Sequence, residues 1–149
     1  MKIIKYKFKV PQLAVQDGEL VELEDKEEEY YFTLLHKGIG LYKEMTGENL
    51  ISAVISVYRE NDIEMAKQVL DPVFVLNLAA ASYTKIENGK FHNNRATCEE
   101  FKKLPVANHL ISDTNFIVQL LTMAMDCVAG EIKQNPNAKK EAEKSFSKK

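Results

Sequence analysis

The sequence predicts an α+β fold that is mostly α: a small N-terminal antiparallel β-sheet, a hairpin plus one strand, followed by about six helices. Three observations carry this expectation. Ile4, Tyr6, Phe8 and Val10 alternate with Lys5, Lys7 and Lys9, the period of two expected of a half-buried strand. Asp17-Gly18 lies between two apolar segments and supplies the positive φ angles of a tight hairpin turn. From Lys37 onward the apolar spacing becomes helical and is punctuated by caps and stops. At 149 residues and 45% hydrophobic content, the chain is long enough for one domain with its own core and too short to suggest two. That domain is expected over residues 1–136, with strands at about 3–35 and helices at about 37–134. The basic, polar tail 137–149 is expected to be disordered.

In chain order, the first strand is expected to stop at Pro11. Leu13-Ala14-Val15-Gln16 and Glu19-Leu20-Val21-Glu22-Leu23 then form the hairpin around Asp17-Gly18. Glu24-Asp25-Lys26-Glu27-Glu28-Glu29 reads as a solvated loop, and Tyr30 to Leu35 as one more short strand. Ile39, Tyr42 and Met45 mark a helix from Lys37 to Thr46, with Gly47 as its stop. An apolar helix follows from Leu50 to Arg59, and Asn61 with Glu64 suggests the cap of a short one ending near Leu70. Asp71-Pro72 opens a helix to about Lys85, because Asp caps free N–H groups and Pro at the first position sacrifices no hydrogen bond. Asn88-Gly89 reads as its stop. Thr97 with Glu100 forms a capping box before a helix from Cys98 to Leu104, ended by Pro105. Ser112 or Asp113 caps a last helix reaching about Gln134.

Two of these helices carry more apolar surface than a surface helix needs. On the last, the apolar residues from Phe116 to Ile132 cover roughly 240°, against the roughly 100° an ordinary surface helix requires. Val73 to Tyr83 is similar. Either both are central helices, or part of their surface serves another chain. Phe116, Leu120, Met123 and Cys127 are the candidate partner-binding residues, Met123 because a flexible thioether suits an adaptable surface.

The bulk numbers narrow the function classes. Twenty basic and 22 acidic residues give a net charge of −2, without the basic excess that phosphate neutralisation favours, so nucleic acid is not expected as a partner. The charged N-terminus does not form a continuous apolar signal, and no membrane span is expected. Cys98 and Cys127 lack a CxxC spacing and read as reduced, buried thiols. His36, His92 and His109 are widely separated, so no metal site is expected, and no GxSxG marks a catalytic serine. Gly38-Ile39-Gly40-Leu41-Tyr42-Lys43 follows a strand as a phosphate loop would. It lacks the third glycine of a dinucleotide fingerprint and the Gly-Lys-Ser/Thr ending of a phosphate loop. Close packing of the first helical turn against the strand accounts for it better. No enzymatic activity and no cofactor are expected.

Leu41-Tyr42-Lys43-Glu44-Met45-Thr46-Gly47-Glu48-Asn49-Leu50, after a strand ending in Phe32-Thr33-Leu34-Leu35, resembles the tail assembly chaperones of long, non-contractile-tailed phages and prophages. The Ala-rich helix around Leu78-Ala79-Ala80-Ala81 and the helix containing Cys98-Glu99-Glu100-Phe101 extend the likeness to roughly residues 1–135. Asn88 to Ala96 has no counterpart in it. The resemblance implies a non-enzymatic protein of the host cytoplasm, absent from the mature virion. It would bind the tape measure protein and keep it soluble and extended while the tail tube polymerises around it. It further implies self-association into a homo-oligomer and, through a frameshifted longer form, contact with the tail tube protein. The alternatives are a small nucleotide-binding regulator or enzyme using Gly38–Lys43, or a structural tail or connector protein of the particle.

Overall fold

The structure, a computed structural model, describes residues 2–60 and 71–134. The expected helix between Asn61 and Leu70 and the tail 137–149 lie outside them. Two long strands, β1 (Ile4–Gln16) and β2 (Glu19–Phe32), precede helices α1 (His36–Thr46) and α2 (Leu50–Glu60). After α3 (Pro72–Ser82) come two short strands, β3 (Tyr83–Glu87) and β4 (Lys90–His92), then α4 (Arg95–Lys102), α5 (Pro105–Leu110) and α6 (Thr114–Gln134). The expected α+β class holds. The strands form one antiparallel sheet in the order β1-β2-β3-β4.

The hairpin turns at Asp17-Gly18, both at positive φ, but its strands are longer than the sequence suggests. Pro11 does not end β1. It lies on an edge strand, opposite two residues, Glu24 and Asp25, where the register shifts by one. Proline donates no ladder hydrogen bond, and an edge bulge accommodates that loss. Glu24 to Glu29 is strand instead of loop because β1 offers it a lysine-rich partner: Lys5 meets Glu29 at 3.3 Å and Lys7 meets Glu27 at 3.7 Å. Tyr30 to Phe32 is the end of this same strand. Each such exposed pair adds at most about 1 kcal/mol, so register comes mainly from the apolar inner face.

The Leu41–Leu50 segment builds the corner between α1 and α2. Gly47 takes φ 76° and returns its N–H to the Lys43 carbonyl. Thr46 donates to the Tyr42 carbonyl and accepts from the Glu48 N–H, while Asn49 accepts from the Ser52 N–H to cap α2. Tyr42 and Leu50 fill the space beneath. Burial, reinforced by the carboxylates of Glu48 and Asp71, pushes the Tyr42 phenol up to about 12. An unfolded tyrosine ionises near 10, so its contribution to stability is whole below that pH and is lost as pH rises towards 12. Urea unfolding should therefore show a loss of about 2 to 3 kcal/mol from this residue across that interval, and Tyr42→Phe should shallow the decline. An unchanged alkaline slope in Tyr42→Phe would refute the assignment.

Asp71 accepts from the Val73 N–H and opens α3, as expected. That helix stops at Ser82, three residues early. The chain continues as β3, because Asn88 and Gly89 both adopt positive φ and turn a second hairpin instead of merely ending a helix. α4 starts at Arg95, capped by a reciprocal Asn94–Thr97 box, so Thr97 serves as the third residue of the box and not as its cap. Pro105 opens the short helix α5 rather than only ending α4. Asp113, which accepts from the Phe116 N–H, begins α6.

The core lies between the inner face of the sheet and the helices. Phe32 is its aromatic centre, with ring centroids 5.0 Å from Phe116, 5.5 Å from Phe101 and 6.0 Å from Tyr83. α3 packs against α1, α4 and α6, while α6 also meets α2 and β1. Most of both apolar helices is thereby covered by their own neighbours, as central helices would be, although Val73 at the start of α3 remains 62% exposed.

Candidate partner surface

Phe116, Leu120 and Met123 retain only 1%, 1% and 2% exposure and belong to the core. As outward-facing partner residues they are corrected: the sheet and the surrounding helices occupy the side of α6 from which a partner would approach. Cys127, one turn further on, is half-buried. Burial raises its thiol pKa, and pushes that of Cys98 up to about 11, so neither is poised as a thiolate. Among the described residues, α6 is the one helix long and apolar enough to cross a membrane, and much of its apolar surface lines this core. Asp126, on its polar stripe, pairs with Lys2 at 3.0 Å.

Apart from Val73 on α3, the large apolar side chains left exposed lie away from these two helices. Tyr6 and Phe8 tie β1 to the helices: the Tyr6 hydroxyl donates to Asp113 at 2.9 Å, and the rings approach Phe116 and His109. From Pro11 to Glu27 every side chain of the hairpin is exposed or half-buried. Within this arm Leu13, Val15 and Leu20 are 60%, 73% and 70% exposed, and Leu23 is also exposed. Val15 lies directly opposite Leu20, and Leu13 opposite Glu22. Directly opposed residues share a face, and β1 alternates without interruption, so Leu13, Val15 and Leu20 lie on the same outer face as Lys5, Lys7 and Lys9.

At the other end of that outer face is an apolar recess of about 280 Å³. It is lined by Ile3, Tyr31, Leu35 and Phe91, with Thr33, Thr84 and Asn93 between them and Lys37 at its edge. Phe91 is 71% exposed and pairs across the second hairpin with Ile86, itself exposed. The floor is rigidly held. Asn93 donates to the carbonyls of Ala81 and Tyr83, and the Thr33 N–H donates to Ser82. Sequence reasoning misses this surface because Asn88-Gly89 reads as a helix stop and Asn88 to Ala96 has no counterpart in the resemblance. An Asn-Gly pair flanked by Ile86 and Phe91 was the available signal.

The glycine pair resolves into two different positions. A Cβ at Gly38 would lie 3.0 Å from the Ala81 carbonyl oxygen and 2.7 Å from Leu34 Cδ1, whereas one at Gly40 would meet open space. Gly38 is therefore accounted for by close packing of α1 on α3 and on Leu34. His36 contacts Glu131 at 2.7 Å and holds the start of α1 to the end of α6. Among the described residues no group of three His, Cys, Asp or Glu side chains converges as a metal site.

Comparison with protein families, with curated proteins and with solved structures finds no match to this chain.

Proposed function

We propose that this chain is a tail assembly chaperone of a long-tailed phage or prophage. It would act without catalysis in the host cytoplasm, binding the tape measure protein and keeping it soluble and extended until tube subunits enclose it. The observation that carries this reading is the uncovered apolar outer face, with Leu13, Val15 and Leu20 at one end and Ile3 and Phe91 at the other. Large apolar side chains held out from a closed core mark a surface meant for another chain. Holding a long repetitive helix requires many weak apolar contacts multiplied by avidity, not a deep pocket, and a two-ended strip on every copy supplies such contacts. The resemblance of Leu41–Leu50 adds the family context, and contact with the tail tube protein through a longer product belongs to the same proposal.

The test is coexpression of a phage tape measure protein with and without this chain. The soluble fraction should rise severalfold when it is present. An unchanged fraction would remove the proposal.

A further inference from the structure

We infer, resting on the chaperone reading, that the outer face of the sheet selects a helical segment by the spacing of its apolar anchors: one on the arm tip and a second in the recess, about 22 helical residues away. The two apolar sites are separate, and the ground between them is charged. Ile3 and Phe91 mark the recess, and Leu13, Val15 and Leu20 the tip. Lys5, Lys7 and Lys9 stand between them, opposite Tyr31, Glu29 and Glu27. Lys5 and Lys7 already pair with Glu29 and Glu27, so this middle stretch offers a partner no apolar grip. Ile3 and Leu13 are ten residues apart in the chain, roughly 33 Å at strand rise, and an α-helix laid along the strands covers that distance in about 22 residues. A shorter segment seats on one site alone and forfeits the gain of a second contact within the same complex. The recess is preformed, its floor held by the Asn93 and Thr33 hydrogen bonds, so a leucine or phenylalanine enters without rearranging it.

Charge gives the two anchors different flanks. Residues 11–25 contain Asp17, Glu19, Glu22, Glu24 and Asp25 and not one lysine or arginine. Glu22, directly opposite Leu13, lies on the outer face beside the apolar side chains of the tip. The tip therefore suits an apolar residue flanked by lysine or arginine. At the recess the order is reversed. Lys37 stands exposed at its edge with no ion-pair partner among the described residues. Glu29, on the same face two residues before Tyr31, is already engaged by Lys5 and by the Tyr31 hydroxyl, which donates to it at 2.7 Å. The recess therefore suits an apolar residue flanked by aspartate or glutamate. Exposed charge pairs of this kind fix orientation more than they add affinity. A segment with a basic flank at one anchor and an acidic flank at the other thus sits in one direction only.

Fluorescence anisotropy of dye-labelled synthetic amphipathic helices, titrated with the purified full chain, tests this. Two peptides of identical composition carry two leucine clusters, about 22 residues apart in one and about 11 in the other. The wider spacing should bind roughly tenfold or more tighter. Leu20→Asp and Phe91→Asp, both at exposed positions, should each bring that peptide down to the affinity of the narrower one while leaving circular dichroism and melting temperature unchanged. At the wider spacing, a peptide with one basic and one acidic flank should bind severalfold tighter than one with two basic flanks, and Lys37→Glu should reverse that order. Equal affinity at the two spacings, aspartate variants that weaken both peptides alike, an unchanged flank preference in Lys37→Glu, or no binding to either peptide would overturn the spacing rule. Coexpression with the tape measure protein is read separately. Solubilisation without a spacing preference removes the spacing rule and leaves the chaperone reading, and a spacing preference without solubilisation does the reverse.

Discussion

Phe32→Ala is expected to lower the unfolding free energy by about 4 kcal/mol, since removing a fully buried ring costs both its transfer energy and the cavity left behind. Phe32 has no exposed surface, and the rings of Tyr83, Phe101 and Phe116 close around it from β3, α4 and α6. These are elements distant in sequence, with little freedom to collapse into the void. In a chain of this size the melting temperature should fall by roughly 10 to 15 °C. Phe91→Ala is the matched control, because its ring is largely exposed and the expected change is within about 0.5 kcal/mol. Thermal and urea unfolding of both variants check this. Equal losses would mean that the aromatic centre has been misplaced.

Gly38→Val should cost about 3 kcal/mol, and Gly40→Ala should cost nothing or stabilise by about 0.5 kcal/mol. The contrast lies in what surrounds each. At Gly38 the added carbon meets a backbone carbonyl of α3, which moves only if the helix moves. Gly40 has open space, so alanine there brings helix propensity without a clash. Were the pair a phosphate cradle instead, Gly40→Ala would reduce the effect of a bound nucleotide on the melting temperature. Titration of nucleotides against thermal stability is the accompanying control, and packing alone predicts no shift in the parent chain.

What the sequence revealed followed from local chemistry. Asp17-Gly18, Gly47 and Asp71-Pro72 each act through their own backbone or the next turn, and each performs the expected role. Misreadings arose where the outcome depended on a distant strand. Nothing within Glu24 to Glu29 specifies extension; pairing with the facing segment of β1 does. Asn88-Gly89 is compatible with either a helix stop or a hairpin, and what precedes it decides. Tyr83 pairs with Phe32, drawing the chain out of α3 and into the sheet. Pro105 suits the first position of a helix as well as the end of the preceding one.

The candidate site was less legible for a related reason. Apolar periodicity reports that a face is buried but not by what. Phe116, Leu120 and Met123 carried the strongest apolar pattern and are enclosed by the protein itself. Leu13, Val15 and Leu20 have the modest pattern of an ordinary hairpin and are the ones left uncovered. Their exposure follows from the alternation of β1, which turns them to the outer face with Lys5, Lys7 and Lys9, away from the helices that pack on the inner one.

The central claim is that this uncovered outer face, and not α6, holds a long apolar partner in solution. It is tested most directly by coexpressing a phage tape measure protein with the parent chain, with a Val15→Asp/Leu20→Asp double variant, and with a Cys127→Asp variant. The account predicts that the parent and Cys127→Asp chains keep the partner soluble while the folded arm variant leaves it in the pellet. Full solubilisation by the arm variant, or its loss in Cys127→Asp alone, would contradict it.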